Sequence, residues 1–211
     1  MAAKKSPRQS ASGKRYARRW READVDERRQ IITEIALDLL QRKGIETVTM
    51  RTVAQALGIG AMTLYTYVEG KQGLQREMVR RGFEMLNQSC AEAFTLHTDE
   101  GWRGGARAYL RFAIENPNLY KLMFDQFMAE DDKDLLHGGF QHLFDKVKER
   151  MGCSQQDDPA LDREARAKAG RFWIALHGLA TLAIAGRLVV LEGGLDDLLD
   201  DLLRHVAPDV D

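Results

Sequence analysis

The chain has little that would tie it to a metal, a disulfide framework or a membrane. Its 211 residues hold two cysteines. Cys90 and Cys153 stand far apart, without metal-ligand or redox spacing, so two reduced thiols of a cytosolic protein are expected. His137 and His142 are separated by two glycines and make a poor helical metal pair, and no metal site is expected. Four prolines leave room for long uninterrupted helices. No stretch alternates apolar and polar residues as a strand would. No Rossmann or P-loop glycine pattern occurs, and no nucleophile–base pair or paired carboxylates stand out, so neither a cofactor nor catalytic residues are expected. The most apolar run, Phe172 to Ala185, contains His177 and is bounded by Arg171 and Arg187. A spanning helix needs about 20 apolar residues, so no membrane segment is expected.

Acidic residues are missing from one place in particular. The first 21 residues carry Lys4, Lys5, Arg8, Lys14, Arg15, Arg18, Arg19 and Arg21 and no acid. Ser6, Pro7, Ser10, Ser12 and Gly13 interrupt any apolar pattern. Such a segment buries no core, and a disordered arm over residues 1–23 is expected. It is either an arm that follows DNA phosphates or a solubilising tail; the contact reading is favoured for Arg18, Arg19 and Arg21. The asymmetry extends further. Residues 1–80 carry 16 Lys+Arg against 9 Asp+Glu, and residues 81–211 the other 15 against 23. The near-neutral total hides a basic part suited to a polyanion and an acidic part that is not.

The apolar pattern is helical throughout. Asp24 and Glu27 have the spacing of a capping box, and Ile31, Ile32, Ile35, Ala36, Leu39 and Leu40 form a stripe that Gly44 ends. Thr49 is placed to cap a short helix, Met50 to Leu57, and Gly58 follows where a left-handed residue closes a helix. Ile59 anchors the turn. Gly60 opens AMTLYTY, with Leu64 facing inward. This is the outline of a helix-turn-helix, whose second helix can enter a DNA major groove. It defines a domain over 24–72. At 211 residues a second domain is expected, over 73–207, followed by a tail at 208–211. Its expected helices are Leu74 to Phe94, Gly101 to Asn116, one started by Pro117, Asp162 to about Leu191, and Asp196 to His205.

The order Gly44, Thr49, Val53-Ala54, Leu57-Gly58-Ile59, Thr63-Leu64-Tyr65, Tyr67-Val68, Lys71 and Leu74 resembles the DNA-binding domain of TetR-family transcriptional regulators. LYTYVEGKQGL carries the most specific part of that likeness. NPNLYKLMF and FWIALHGLATLAIAGRL resemble the family's C-terminal domain. Within the latter, Trp173, His177 and Gly178 match the W-x-x-x-H-G pattern of one subgroup. The resemblance implies an all-α protein with a three-helix N-terminal DNA-binding domain joined to a helical ligand-binding and dimerisation domain. It implies that Gly60, Ala61, Met62 and Thr63 face base edges, that Tyr65 and Lys71 contact phosphates, and that Arg51 reaches a guanine. The chemistry fits: Arg pairs bidentately with guanine, and Tyr and Lys hold phosphate oxygens. The recognition face carries no Arg, Lys, Asn or Gln, so specificity is expected to lean on Arg51, Thr63, thymine methyls and DNA shape.

The same resemblance implies a bacterial, cytoplasmic, ligand-responsive regulator, most often a repressor, bound to a palindromic operator as a homodimer and released by a small, largely apolar organic effector. Helices 162–191 and 195–205 are the expected dimer elements. Gly178, Ala180, Ala183 and Gly186 would permit close approach. Phe112, Tyr120, Met123, Phe124, Phe127, Met128, Phe144, Trp173 and His177 are the expected pocket set, although such residues also fill ordinary cores. The alternatives are a DNA-binding dimer of low sequence specificity, or one controlled by a protein partner.

Overall fold

The computed structural model describes residues 11–93, 99–126, 159–190 and 194–206, with scattered helical residues between 138 and 149. Among the described residues all regular structure is helical. The chain divides into two compact units: residues 1–81 with 121–127, and residues 82–120 with 128–211.

The first unit begins with α1 (Ala11–Glu22) and α2 (Val25–Lys43). Here the expectation of a disordered arm through residue 23 is corrected: from Ala11 onward the basic segment is helical. The reason lies in two residues that a count of charges overlooks. Trp20 and Ala23 are buried, and they give α1 an apolar contact with α2 and α3 (Met50–Leu57). Asp24 and Glu27 form the expected capping box at the start of α2. Ile31, Ile32, Ile35, Ala36 and Leu40 bury its inner face. Gly44 ends the helix, and a 3-10 turn (Ile45–Thr47) leads to α3.

Thr49 caps α3 by accepting the Thr52 N–H at 3.1 Å, while the Thr52 hydroxyl accepts the Thr49 N–H at 3.0 Å. This is a capping box with threonine in place of the usual Glu or Gln. Gly58 closes the helix in the left-handed region, at φ 74° and ψ 29°, where a side chain would be strained. α4 (Ala61–Leu64) is a single turn, continued by turn residues through Tyr67.

α5 (Gly70–Ala93) runs from the first unit into the second. The second unit holds α6 (Asp99–Glu115), most of α7 (Pro117–Lys121), α8 (Pro159–Ile184) and α9 (Leu195–Val206). α6, α8 and α9 pack on one another. Trp102, Ala106, Leu110, Ala113, Ala165, Ala169, Phe172, Leu176 and Leu199 supply buried apolar surface. Arg103 pairs with Asp200 at 2.7 Å and Arg107 with Asp196 at 3.3 Å, fastening α6 to α9 at its rim.

The longest of these helices differs from expectation at both ends. α8 starts at Pro159, because proline is favoured in a first turn, and stops at Ile184, seven residues before Leu191. Gly186 at φ 66° turns the chain there, and a 3-10 turn follows over Leu188–Val190. After α7, residues Leu122–Gln126 form a π turn, and Lys121–Phe127 group with the first unit.

Candidate nucleic-acid interface and buried aromatic network

The turn after Gly58 sorts its side chains sharply. Leu64 is fully buried, with Val53, Ala54 and Leu57 beneath it. On the opposite side Met62 is 78% exposed and Tyr65 53% exposed. Gly60, Thr63, Lys71 and Arg51 are exposed as well, and Ala61 is half-buried. One large apolar residue and one tyrosine thus stand in water on this side of the turn.

The backbone holds that surface in place. The Thr63 N–H bonds the Gly60 carbonyl at 3.0 Å, and the Val68 N–H bonds the Leu64 carbonyl at 3.0 Å. Gly70, at φ 65°, lies close enough to Tyr65 that a β-carbon there would sit 3.7 Å from the ring. Tyr67 faces inward: it packs edge-to-face on Trp20 at 5.3 Å and accepts a hydrogen bond from Arg28 Nη1 at 2.9 Å. Of the basic residues expected to meet DNA, Arg18 and Arg21 are exposed. Arg19 is held by Glu34 through two hydrogen bonds, at 2.5 and 3.2 Å. That pairing raises the pKa of its guanidinium.

The first unit thus holds two short helices joined at Gly58, with Met62, Thr63 and Tyr65 exposed and Leu64 buried. Residues 32–78 match the family model for "Bacterial regulatory proteins, tetR family", and residues 102–206 match that for "Tetracyclin repressor-like, C-terminal domain". The chain belongs to the TetR family of transcriptional regulators. TetR-family regulators bind DNA and dimerise, and they are regulators rather than enzymes.

The chain is 27% identical over 93 residues to the uncharacterized HTH-type transcriptional regulator YobS of Bacillus subtilis (strain 168), covering 44% of this chain and 49% of YobS. It is 37% identical over 63 residues to an HTH-type transcriptional regulator of Staphylococcus aureus (strain USA300), covering 30% of this chain and 34% of that regulator. The chain therefore spans half or less of these relatives. The fold is similar to that of a TetR-family regulator from Streptomyces coelicolor, with TM-score 0.65 and 19% identity over 86% of this chain and 79% of that one. It is similar also to a TetR-family regulator from Marinobacter aquaeolei VT8, with TM-score 0.61 and 16% identity over 90% of this chain and all of that one. Among the described residues no helix of this TetR-family chain is long and apolar enough to cross a membrane.

In the regulator's second unit three residues of the expected pocket set meet. Tyr120 donates or accepts at His177 Nδ1 over 2.6 Å and at the Tyr109 hydroxyl over 2.8 Å. Trp173 Nε1 donates to the Tyr109 hydroxyl at 3.2 Å. The rings of Tyr120 and Trp173 lie 5.4 and 5.1 Å from that of His177. An indole can only donate. Trp173 therefore donates to Tyr109, and the direction of the Tyr109–Tyr120 and Tyr120–His177 bonds follows the His177 tautomer. Burial raises the pKa of the Tyr109 phenol, against the opposing pull of its bonds to Tyr120 and Trp173.

Tyr109 was not in the expected set. It lies on α6, one helical step from Leu110, and reads as an ordinary core aromatic; only its partners reveal it. Phe112 and Met123 are buried and Phe124 is half-buried. Met123 and Phe124 fall in the segment that groups with the first unit. The side chains of Phe127, Met128 and Phe144 lie outside the described residues. A separate groove of about 450 Å³ lies between α6 and α9, lined in part by Arg107, Leu110, Arg111, Ile114 and Leu195, and by none of the expected pocket residues. Cys90 is buried, its thiol donating weakly to the Gly105 carbonyl at 3.8 Å. Burial pushes its pKa up to about 12, so it is an inert structural thiol. Cys153 is outside the described residues.

Proposed function

We propose that this TetR-family regulator is a ligand-responsive repressor that binds a palindromic operator as a homodimer, with Gly60, Ala61, Met62 and Thr63 in the major groove. The observation that carries this reading is the exposure of Met62 and Tyr65 around a buried Leu64. Met62, Ala61 and the Thr63 methyl suit thymine methyl groups, Tyr65 and Lys71 take phosphates, and Arg51 takes a guanine. A reading face with so few directional donors makes DNA shape part of the specificity.

The dimer is formed by α8 and α9. Ile174 stands 64% exposed on α8, near Gly170 and Gly178, where an added β-carbon would meet nothing within 4 Å. A face of this kind supports close helix approach in a two-fold contact. The effector is a small, largely apolar molecule that engages the Tyr109–Tyr120–Trp173–His177 network. It acts by binding more tightly to a dimer that no longer fits two successive major grooves. The protein works in the bacterial cytoplasm, on the nucleoid when DNA-bound.

Selection and sequencing of genomic fragments held by the purified protein tests the operator. Arg51→Ala should then weaken the selected site by about 10- to 100-fold, the worth of one bidentate guanine contact, and relax preference at one base pair. Retention of both affinity and preference would sink the assignment. Ile174→Arg should shift sedimentation from dimer to monomer. A wild-type monomer at micromolar concentration would refute the dimer.

A further inference from the structure

α1 lies wholly outside the family match, which begins at residue 32, yet it is built into the DNA-binding unit. Trp20 is buried and meets Tyr67 edge-to-face. The Arg28 guanidinium lies 5.4 Å from the Trp20 ring and 6.0 Å from the Tyr67 ring. Its Nε donates to the Trp20 carbonyl at 3.3 Å and its Nη1 to the Tyr67 hydroxyl at 2.9 Å. Arg29 Nε holds the Tyr67 carbonyl at 3.3 Å. The Arg19–Glu34 pair fixes the same helix to α2. Tyr67 stands two residues after Tyr65 and four before Lys71, the two residues assigned to phosphates. α1 is thus clamped to the segment that would track the DNA backbone.

Around α1 the cations divide. Arg19 is spent on Glu34. Arg18 and Arg21 are exposed, and three residues apart on a helix makes them neighbours on one edge. Neither pairs with a carboxylate among the described residues; Arg21 Nε bonds only the Ala17 carbonyl, at 3.3 Å. Glu22 stands four residues from Arg18, the spacing of a helical ion pair, and makes none. Two adjacent guanidiniums on one helix edge repel each other.

We propose that α1 is a second DNA-contact element, its Arg18–Arg21 edge seated on the phosphates that flank the groove entered by Gly60–Thr63. This rests on the reading that the helix-turn-helix binds through that face. The competing account is purely structural: Arg21 in the last turn of α1 complements the helix dipole. That account changes stability and leaves the salt dependence of DNA binding alone.

The test uses the full-length double variant R18Q/R21Q, with Lys71→Gln in parallel. Each is titrated against the selected operator and a scrambled duplex of equal length, between about 50 and 200 mM salt. The slope of log affinity against log salt should fall by about 1.8 for the double variant, since each neutralised phosphate contributes about 0.9. The loss should be similar on both duplexes, because phosphate contacts carry no sequence information, and the thermal midpoint should not move. Wild-type affinity and slope in R18Q/R21Q, with a clear loss in Lys71→Gln, overturn the role of α1 and leave the helix-turn-helix reading standing. No change in either variant overturns both. A loss confined to the operator, or a lower midpoint with an unchanged slope, also overturns the phosphate assignment.

Discussion

The two units of this regulator put polar chemistry in opposite places. In the first, polar and charged groups that could meet a partner stand in water, and the interior behind them is apolar: Ile31, Ile32, Ile35, Leu40, Val53, Leu57 and Leu64. In the second, buried Tyr109 and Tyr120 bond each other and half-buried Trp173 and His177. Exposed side chains of the first unit can change without disturbing the fold, because water replaces each lost contact. The buried Tyr109–Tyr120 pair cannot, because a lost partner leaves a hydroxyl unsatisfied in a medium that does not compensate. Recognition and stability are therefore separable in the first unit and entangled in the second.

Experiments can strain this contrast from both sides. The largest effect is expected at the rear of the reading face. Leu64→Ala removes a fully buried side chain and should cost about 2–5 kcal/mol, measured by chemical denaturation, with DNA binding lost alongside. Tyr120→Phe comes next. It removes the hydroxyl that joins Tyr109 to His177 and should cost about 1–3 kcal/mol; a change within error would mean that the network contributes little. Thr49→Ala, which takes away the cap of α3, should cost about 1 kcal/mol by the same measurement.

The effect of Cys90 is confined to alkaline pH. Its thiol has a folded pKa raised from 9.0 to about 12. The neutral form is favoured in the folded state, so its contribution is intact below pH 9. It is lost as the pH rises toward about 12, where the unfolded chain has already released the proton. Cys90→Ala should flatten that part of the stability profile, and native Cys90 should resist alkylation until the protein is denatured, as peptide mass mapping would show. Met62→Ala should leave stability within about 0.5 kcal/mol of wild type while weakening operator binding. A large destabilisation there would mean that the reading face and the core are not separable after all.

Local pattern carries far in the first unit. Asp24 and Glu27, Thr49, Gly58 and the Ile31-to-Leu40 stripe each act within a few residues of themselves, so their roles follow from spacing. α1 escaped that reading because charge dominates its composition, and Trp20 finds a partner 47 residues away, at Tyr67. In the second unit the helices were legible from periodicity, and Tyr120, Trp173 and His177 from their types. Nothing in the sequence joins Tyr109 to Trp173, 64 residues apart. Those relations depend on how α6, α7 and α8 cross.

What the sequence by itself determined is most of the helices and the family: helical periodicity, capping residues and the Leu57-to-Leu74 motif are local, and local interactions are written along the chain. What only the tertiary structure decided is which side chains meet. It folded the basic segment into α1 against Tyr67, paired Arg19 with Glu34 while leaving Arg18 and Arg21 exposed, and gathered a hydrogen-bonded chain from residues on three helices. Burial and partner choice arise from packing between segments distant in sequence, and no spacing along the chain encodes them.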